Sequence, residues 1–370
     1  MLPFFMHNDL LYQIALTMVP NVGAVQAKIL VEEFGDANSI FKAKQKHLET
    51  IEGIGEVRAT SIKSFDDFTA AEHEIEFLHK HHIQPLFLQD VDYPKRLLNC
   101  YDSPTLLYYR GNADLNTSRV VSIIGTRNNT EYGKQLTEQL VEKLQPYNVL
   151  VVSGLAYGID ALSHKAAVAC NLPTVGVLAH GLDKIYPPQH KPLAKQMLLN
   201  GGLLTEFRKD TLPDKHNFPR RNRIVAGMAD AVVVVETASR GGSMITAELA
   251  NGYNKDVFAF PGRTTDSKSA GCNELIRQNK AILLNDADEM IELLGWKEKK
   301  VKPRRQAQLF VDLSEDEQKL LDILQHKEQM HIDEVYIASG LNSSSVAAAM
   351  LNLEFQNMVI SLPGKMYRLA

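Results

Sequence analysis

The sequence predicts an α/β protein built on a central Rossmann-like doubly wound parallel sheet, with a helical helix-hairpin-helix segment before it and a winged helix after it. Three observations carry that expectation. Between residues 120 and 284, short β-branched runs alternate with amphipathic helical stretches; before residue 85, one glycine-punctuated helical pattern occurs twice; after residue 312, capped helices lead into a terminal hairpin. Runs of this kind, bounded by glycine and separated by helices, mark strands buried on both faces.

The first segment, 1–85, reads as short helices. Val19-Pro-Asn-Val-Gly-Ala-Val-Gln-Ala-Lys-Ile29 and Ile51-Glu-Gly-Ile-Gly-Glu-Val-Arg-Ala-Thr-Ser-Ile62 repeat one pattern of apolar residues and glycine. Each has the form of a helix-hairpin-helix turn, whose unpaired N–H groups at a helix start can hold a phosphate oxygen. Glycine serving only as a tight corner between helices explains the pattern equally well. Residues 86–118 are irregular, with Asp92-Tyr-Pro94, Ser103-Pro104 and a strand-like run at 106–109, and read as an extension packed on the central unit, 86–297.

Strands are expected at 120–124, 149–153, 174–178, 203–206, 231–236, 257–260 and 281–284, with helices at 132–144, 158–169 and 247–253 among those between them. The basic run Lys297-Glu-Lys-Lys-Val-Lys-Pro-Arg-Arg305 marks a linker, 298–311. In the last unit, 312–370, Ser314 and Glu317 have capping-box spacing, Ile332-Asp-Glu-Val-Tyr-Ile337 starts a second helix, and Asn342-Ser-Ser-Ser345 caps a third that runs to about Asn357. Strands at 359–362 and 365–369 flank Pro363-Gly364, completing a winged helix.

Composition narrows the function. Forty Lys plus Arg against forty-four Asp plus Glu give a net charge of −4, so any affinity for a polyanion is local rather than spread over the surface. Cys100, Cys170 and Cys272 are too scattered for a disulfide ladder or a metal knuckle, which points to the reducing cytosol and a cytoplasmic protein. The first twenty residues have no basic leader, so no signal peptide is expected, and the apolar runs are far shorter than the ~20 residues of a membrane span.

In an open parallel sheet, ligands sit beyond the carboxyl ends of the strands. Gly125-Thr-Arg127 follows the first central strand, Ser153-Gly-Leu-Ala-Tyr-Gly-Ile-Asp160 the second, and Ala179-His-Gly-Leu-Asp-Lys-Ile-Tyr-Pro187 the third. The dinucleotide fingerprint is missing from the first turn and the P-loop occurs nowhere, so no cofactor is assigned. Arg127 instead places a permanent cation at the ligand edge, able either to grip a phosphodiester or to pair with a neighbouring carboxylate. Lys215-His-Asn-Phe-Pro-Arg-Arg-Asn-Arg223 holds four permanent cations, Lys215, Arg220, Arg221 and Arg223, and no acid. With Phe218 offering a flat face, it suits single-stranded nucleic acid. A solvated basic face with Phe218 in the core, or Arg223 paired inside the domain, accounts for it as well. Gly241, Gly242 and Ser243 open another helix with donors for phosphate, with Thr246 one turn on, or else are glycines for close packing. The histidines His79, His81 and His82 have no acid or cysteine set for a metal, and His164, His180 and His216 have no nucleophile partner, so neither a metal site nor a catalytic triad is assigned.

Gly125-Thr-Arg127 with Tyr132-Gly133, Ser153 to Asp160, Gly181-Leu-Asp-Lys-Ile-Tyr-Pro187, Phe218-Pro-Arg-Arg-Asn-Arg-Ile224, Gly242-Ser-Met-Ile-Thr-Ala247 and Pro261-Gly262 occur in the order found in one family. On them the chain resembles the DprA/Smf family, the DNA-processing proteins of bacterial natural transformation. The flanking units resemble that family's accessory domains, a SAM-like helical unit and a winged helix. The resemblance implies a non-enzymatic mediator that binds and protects incoming single-stranded DNA and loads RecA recombinase onto it, generally as a homodimer formed through the central domain. By position it implies that Arg127 clamps phosphate, that Lys215 and Phe218 supply charge and stacking, that the Gly242-Ser243 turn binds backbone, and that Ser153 and Gly154 line the pocket. No residue is transferred for the dimer or RecA surfaces.

Two rivals remain. A lysine-decarboxylase-like nucleotide hydrolase shares the Rossmann core and a Pro-Gly-Gly-x-Gly-Thr-x-x-Glu loop; here Arg240-Gly-Gly-Ser-Met-Ile-Thr-Ala-Glu248 keeps the glycine pair and Glu248 but has Met244-Ile245 where that loop has Gly-Thr. A winged-helix transcription regulator needs a basic recognition helix, and 343–357 has no Lys or Arg.

Overall fold

The computed structural model describes residues 4–297, 313–327, 329–356, 358–362 and 364–369. The linker expected at 298–311 lies outside the described residues, as do Asn357 and Pro363. The chain forms two compact units, 1–297 and 298–370.

The first unit holds a nine-stranded sheet: β1 (Gln84–Phe87), β2 (Leu106–Gly111), β3 (Val120–Ile124), β4 (Leu150–Ser153), β5 (Thr174–Val177), β6 (Gly201–Thr205), β7 (Ala231–Val234), β8 (Asp256–Ala259) and β9 (Ile282–Leu283). Their order across the sheet is β1-β2-β6-β5-β4-β3-β7-β8-β9. The pairs from β6 through to β9 are parallel. β1 and β2 are antiparallel additions at one edge: the strand-like run expected at 106–109 is β2, whereas β1, which crosses the boundary expected at 85, is a strand the sequence did not announce.

The alternating residues of β3 explain its two covered faces. Val120 and Ile124 enter one apolar cluster with Ile224 and Val225 of the helix Asn217–Gly227, while Val121 and Ile123 enter another with Leu140 and Val141 of the helix Glu131–Leu144. At about 25 cal/mol per Å² of apolar surface removed from water, these two cores supply the main drive for assembly. A third cluster joins Ile14, Leu30, Ile40, Ile62 and Ile75 of the N-terminal helices to Phe87, Leu106 and Tyr108 from β1 and β2. Glu74 of the helix Phe68–His81 also accepts the N–H of Lys209.

Cys100 and Cys272 are buried, and all three cysteines are free thiols. Among the described residues no helix is long and apolar enough to cross a membrane.

The second unit has the helices Glu315–Leu324, Ile332–Ser339 and Ser343–Phe355 and a small sheet of β10 (Met330–His331), β11 (Val359–Leu362) and β12 (Met366–Leu369) in the order β10-β12-β11. Ser314 and Glu317 form the expected capping box, and Asn342 accepts the N–H of Ser345 at 2.8 Å. Leu320, Leu324, Val335, Val346, Met350, Leu353 and Val359 pack its core.

Candidate nucleic-acid interface

The chain runs from β3 outward to β6 on one side and returns to β7 on the other. The loops after β3 and β7 therefore diverge and leave a crevice at the strands' carboxyl ends, the place where this topology binds ligands. The crevice has a volume of about 300 Å³ and is lined by Arg127, Gly154, Phe218, Asn222 and the Gly241–Ser243 turn, among others.

Glu236, buried just after β7, fixes the loop that carries Arg127. Its carbonyl accepts the N–H of Thr126 at 2.7 Å, and its carboxylate accepts the N–H of Thr130 at 2.8 Å and the Thr130 hydroxyl at 2.7 Å. The same Thr130 Oγ1 accepts the N–H of Gly133, capping the helix Glu131–Leu144. Both ends of the Arg127 loop are thus tied to one residue. The loop after β4 docks on it through Ile159 N–H to Thr126 O at 3.2 Å. That approach needs Gly158, whose φ is +75° and where a Cβ would overlap Thr126 O.

Arg127 is exposed and has no carboxylate partner among the described residues; its guanidinium lies 5.1 Å over the half-buried Phe218 ring. Lys215 is exposed at the start of the same segment. Arg220 is exposed too, with its guanidinium 5.0 Å over Phe207 and 3.5 Å from Glu206. Gly242 is exposed, and the helix Gly242–Gly252 begins there, with Gly242 and Ser243 of its first turn lining the crevice. The Ser243 hydroxyl is taken up by Thr237 Oγ1 at 2.7 Å, so backbone rather than side chain is what that turn offers.

Two of the four cations expected to form one field are held inside. Arg221 is only 4% exposed and donates to the carbonyls of Gly154 and Val177 and to Asn222 Oδ1. Gly154 is required by this arrangement, since a Cβ would overlap the guanidinium. Arg221 thereby ties the ends of β4 and β5 together beneath the crevice. Burial pushes its pKa down to about 10, against the attraction of Asp160. Burial raises Asp160, opposed by Arg221 and by the N–H groups of Ala156 and Gly154. Arg223 donates to Asp102 O and pairs with Glu206 Oε2, facing the β6 end. Ser153 is fully buried, its hydroxyl donating to Ile123 O at 2.6 Å, so it joins β4 to β3 and leaves Gly154 as the residue that lines the crevice.

Sequence reasoning did not single out Glu236, Tyr157 or Tyr186. Tyr157 and Tyr186 stand beside Phe218 in a narrow recess that Arg127 also lines. Their loops were in view, but a lone tyrosine next to glycine or proline carries no periodic signal. The buried histidines are structural. Thr174 Oγ1 donates to Val151 O, so His164 Nδ1 donates to Thr174 at 2.7 Å, and burial pushes the pKa of His164 down to about 3. His180 has both ring nitrogens engaged, by Gly181 O at 2.8 Å and by the N–H of Tyr186 at 3.2 Å, and burial lowers its pKa.

A wider cleft of about 890 Å³ lies toward the β8 end, lined by Tyr132, Arg263, Asp266 and Lys268 among others. Its lining sets Glu236 and Asp266 against Arg263 and Lys268, whereas the narrower crevice sets Asp160 against Arg127, Arg221 and Arg240, so the narrower crevice has the better electrostatic claim on a polyanion. Glu248, the acid of the hydrolase-type loop, lies outside the crevice lining and pairs with Lys280 at 2.7 Å.

The chain matches the family described as DNA recombination-mediator protein A over residues 84–295, the DprA winged helix domain over 303–365, and a helix-hairpin-helix motif over 14–74. It is 31% identical to Protein Smf of Synechocystis sp. over 98% of this chain and 99% of that protein. The structure of DNA processing protein A from Streptococcus pneumoniae superposes with a TM-score of 0.66 at 30% identity, covering 76% of this chain and 97% of that one. That of DNA processing protein A from Helicobacter pylori, described for its single-stranded DNA binding mode, superposes with a TM-score of 0.53 at 33% identity, covering 58% and 98%. The order of the glycine loops, the sheet that presents them and the two flanking motifs agree with these relatives, and the chain belongs to the DNA recombination-mediator protein A (DprA/Smf) family.

Proposed function

We propose that this protein binds and protects single-stranded DNA in the crevice around Arg127 and Phe218 and loads RecA recombinase onto it during natural transformation. It acts in the cytoplasm as a homodimer and without chemical conversion of the DNA. The observation that carries the reading is the exposed guanidinium of Arg127 over the half-buried ring of Phe218, with Lys215 exposed at the start of the same segment. A permanent cation beside an aromatic face suits a phosphate with an unpaired base next to it, whereas a duplex keeps its base faces stacked. The donors of the Gly242 turn supply a second phosphate contact, and Gly154 lets the backbone approach. The relative from Helicobacter pylori, described for binding single strands, supports the assignment.

The winged unit is read as a protein-contact module. Residues 312–370 hold nine acids against four bases, and the helix Ser343–Phe355 has neither Lys nor Arg. A surface of that sign repels the phosphate backbone that a duplex reader must grip.

The test is a salt titration of binding to a homopolymer oligonucleotide with wild type and Arg127→Ala. Wild type should bind the single strand more tightly than a duplex of equal length, and the variant should bind more weakly with a shallower salt dependence. Equal affinity and slope in a folded variant would reject the crevice. RecA loading is read separately, as a shorter lag in RecA filament formation on the single strand when the protein is present.

A further inference from the structure

Phe218 is one of three aromatic rings lining the recess beside Arg127; the others are Tyr157 and Tyr186, at 42% and 44% exposure. Large aromatic rings this open, on loops and grouped at one rim, are poorly explained by packing.

Both tyrosines are held in place. The N–H of Tyr186 donates to His180 Nε2 at 3.2 Å, and the other nitrogen of His180 is bound to Gly181 O. Tyr157 sits between Ala156, whose N–H is bound by Asp160, and Gly158, whose neighbour Ile159 is docked on Thr126. Its ring lies edge-on to the buried His190 at 5.1 Å, and its hydroxyl donates to Gln189. An exposed ring held as that of Tyr157 is, or carried on backbone held as that of Tyr186 is, loses little freedom when a planar ligand settles on it.

The spacing says how a base would use them. Tyr186 and Phe218 have centroids 6.3 Å apart and planes inclined by 51°. A base sandwiched between two rings needs about 7 Å and parallel planes, given carbon contacts of about 3.5 Å on each side. The pair therefore cannot clamp one base, but each ring can carry a different one.

We propose that Tyr186 and Tyr157 are further base-stacking residues, so that the bound strand runs from the Gly241–Ser243 turn past Phe218 toward the carboxyl ends of β4 and β5. The path leaves the wider cleft near Tyr132 outside the contact. This rests on the single-strand reading above and adds a direction to it.

The experiment compares the full chain with Tyr186→Ala, Tyr157→Ala, their Phe counterparts, Tyr132→Ala and Arg127→Ala, by fluorescence anisotropy on oligo(dT) and on an abasic strand of the same length. The Ala variants at 186 and 157 should weaken oligo(dT) binding roughly fivefold or more each. Their salt slopes should match wild type, since no charge is lost, and the Phe variants should restore affinity. On the abasic strand they should bind as wild type does, and Tyr132→Ala should behave as wild type on both strands.

Wild-type affinity for oligo(dT) in both Ala variants overturns the proposal, as does an equal loss on the abasic strand, which would mark a structural role. Loss in Tyr132→Ala alone would place the strand on the opposite side. If wild type fails to bind oligo(dT) even at low salt, the single-strand reading falls and this one with it; failure of the tyrosine variants while Arg127→Ala still weakens binding defeats only the stacking path.

Discussion

The sheet rim and the third helix of the winged unit are two of the places where these folds can present a nucleic-acid surface, and they are opposite in character. The rim exposes Arg127 over the half-buried ring of Phe218, with Lys215 and Arg220 exposed in the segment that carries that ring. The helix Ser343–Phe355 exposes Ala347, Ala348, Leu351, Glu354 and Phe355. A winged helix supplies a shape, but affinity for DNA comes from cations placed where phosphates run, and the helix Ser343–Phe355 carries none.

The largest effect that sharpens the contrast is one of stability at the rim. Arg221→Ala removes the donor to Gly154 O and Val177 O and leaves Asp160 facing no cation, which should cost about 3–5 kcal/mol, measured as a lower urea midpoint. If Arg221→Ala instead stays fully stable and loses only DNA, Arg221 belongs to the exposed set after all.

Binding effects come next. Phe218→Ala should weaken single-strand binding by about 1–3 kcal/mol while the fold survives, and Lys215→Ala should lower the salt slope by about one phosphate contact. Acid then separates rim from wing. Burial keeps the folded-state pKa of His164 at about 3, below its ordinary 6.5, so its contribution is complete above pH 6.5 and is lost as the pH falls from there toward 3. Its share of the stability of the sheet unit should be smaller at pH 5 than at pH 7, and His164→Asn should remove that share of the pH slope in urea titrations.

The smallest effect belongs to the wing. Phe355→Ser, at a side chain 77% exposed, should change stability by less than about 0.5 kcal/mol and leave oligonucleotide affinity where it was. A loss as large as that of Phe218→Ala would erase the distinction.

The central strands were legible because their short, largely β-branched apolar runs are bounded by glycine and carry no charged residue from β3 to β7, and the caps at Ser314 and Asn342 because the residue types are specific to that position. β1 was not legible: it is four residues long with Pro85 inside, and a proline fits there because the strand pairs on one side only, with β2. For the site, the cationic segment was visible but its division was not. Along a helix, residues 220 and 223 fall on one face and 221 about 100° away, so Arg220 and Arg223 share Glu206 while Arg221 turns into the sheet. Which face would be covered depends on β4 and β5, distant in the chain. Glu236 was hidden for the same reason, since its partners Thr126 and Thr130 lie more than a hundred positions earlier.

The shared cluster of Phe87, Leu106 and Tyr108 with the N-terminal helices has a practical corollary for anyone wishing to transplant the proposed strand-gripping surface. A truncated version beginning at the sheet would start with greasy side chains bared where the helices had been, and would tend to self-associate whatever its affinity for DNA. The portable unit is the sheet together with its helical cap.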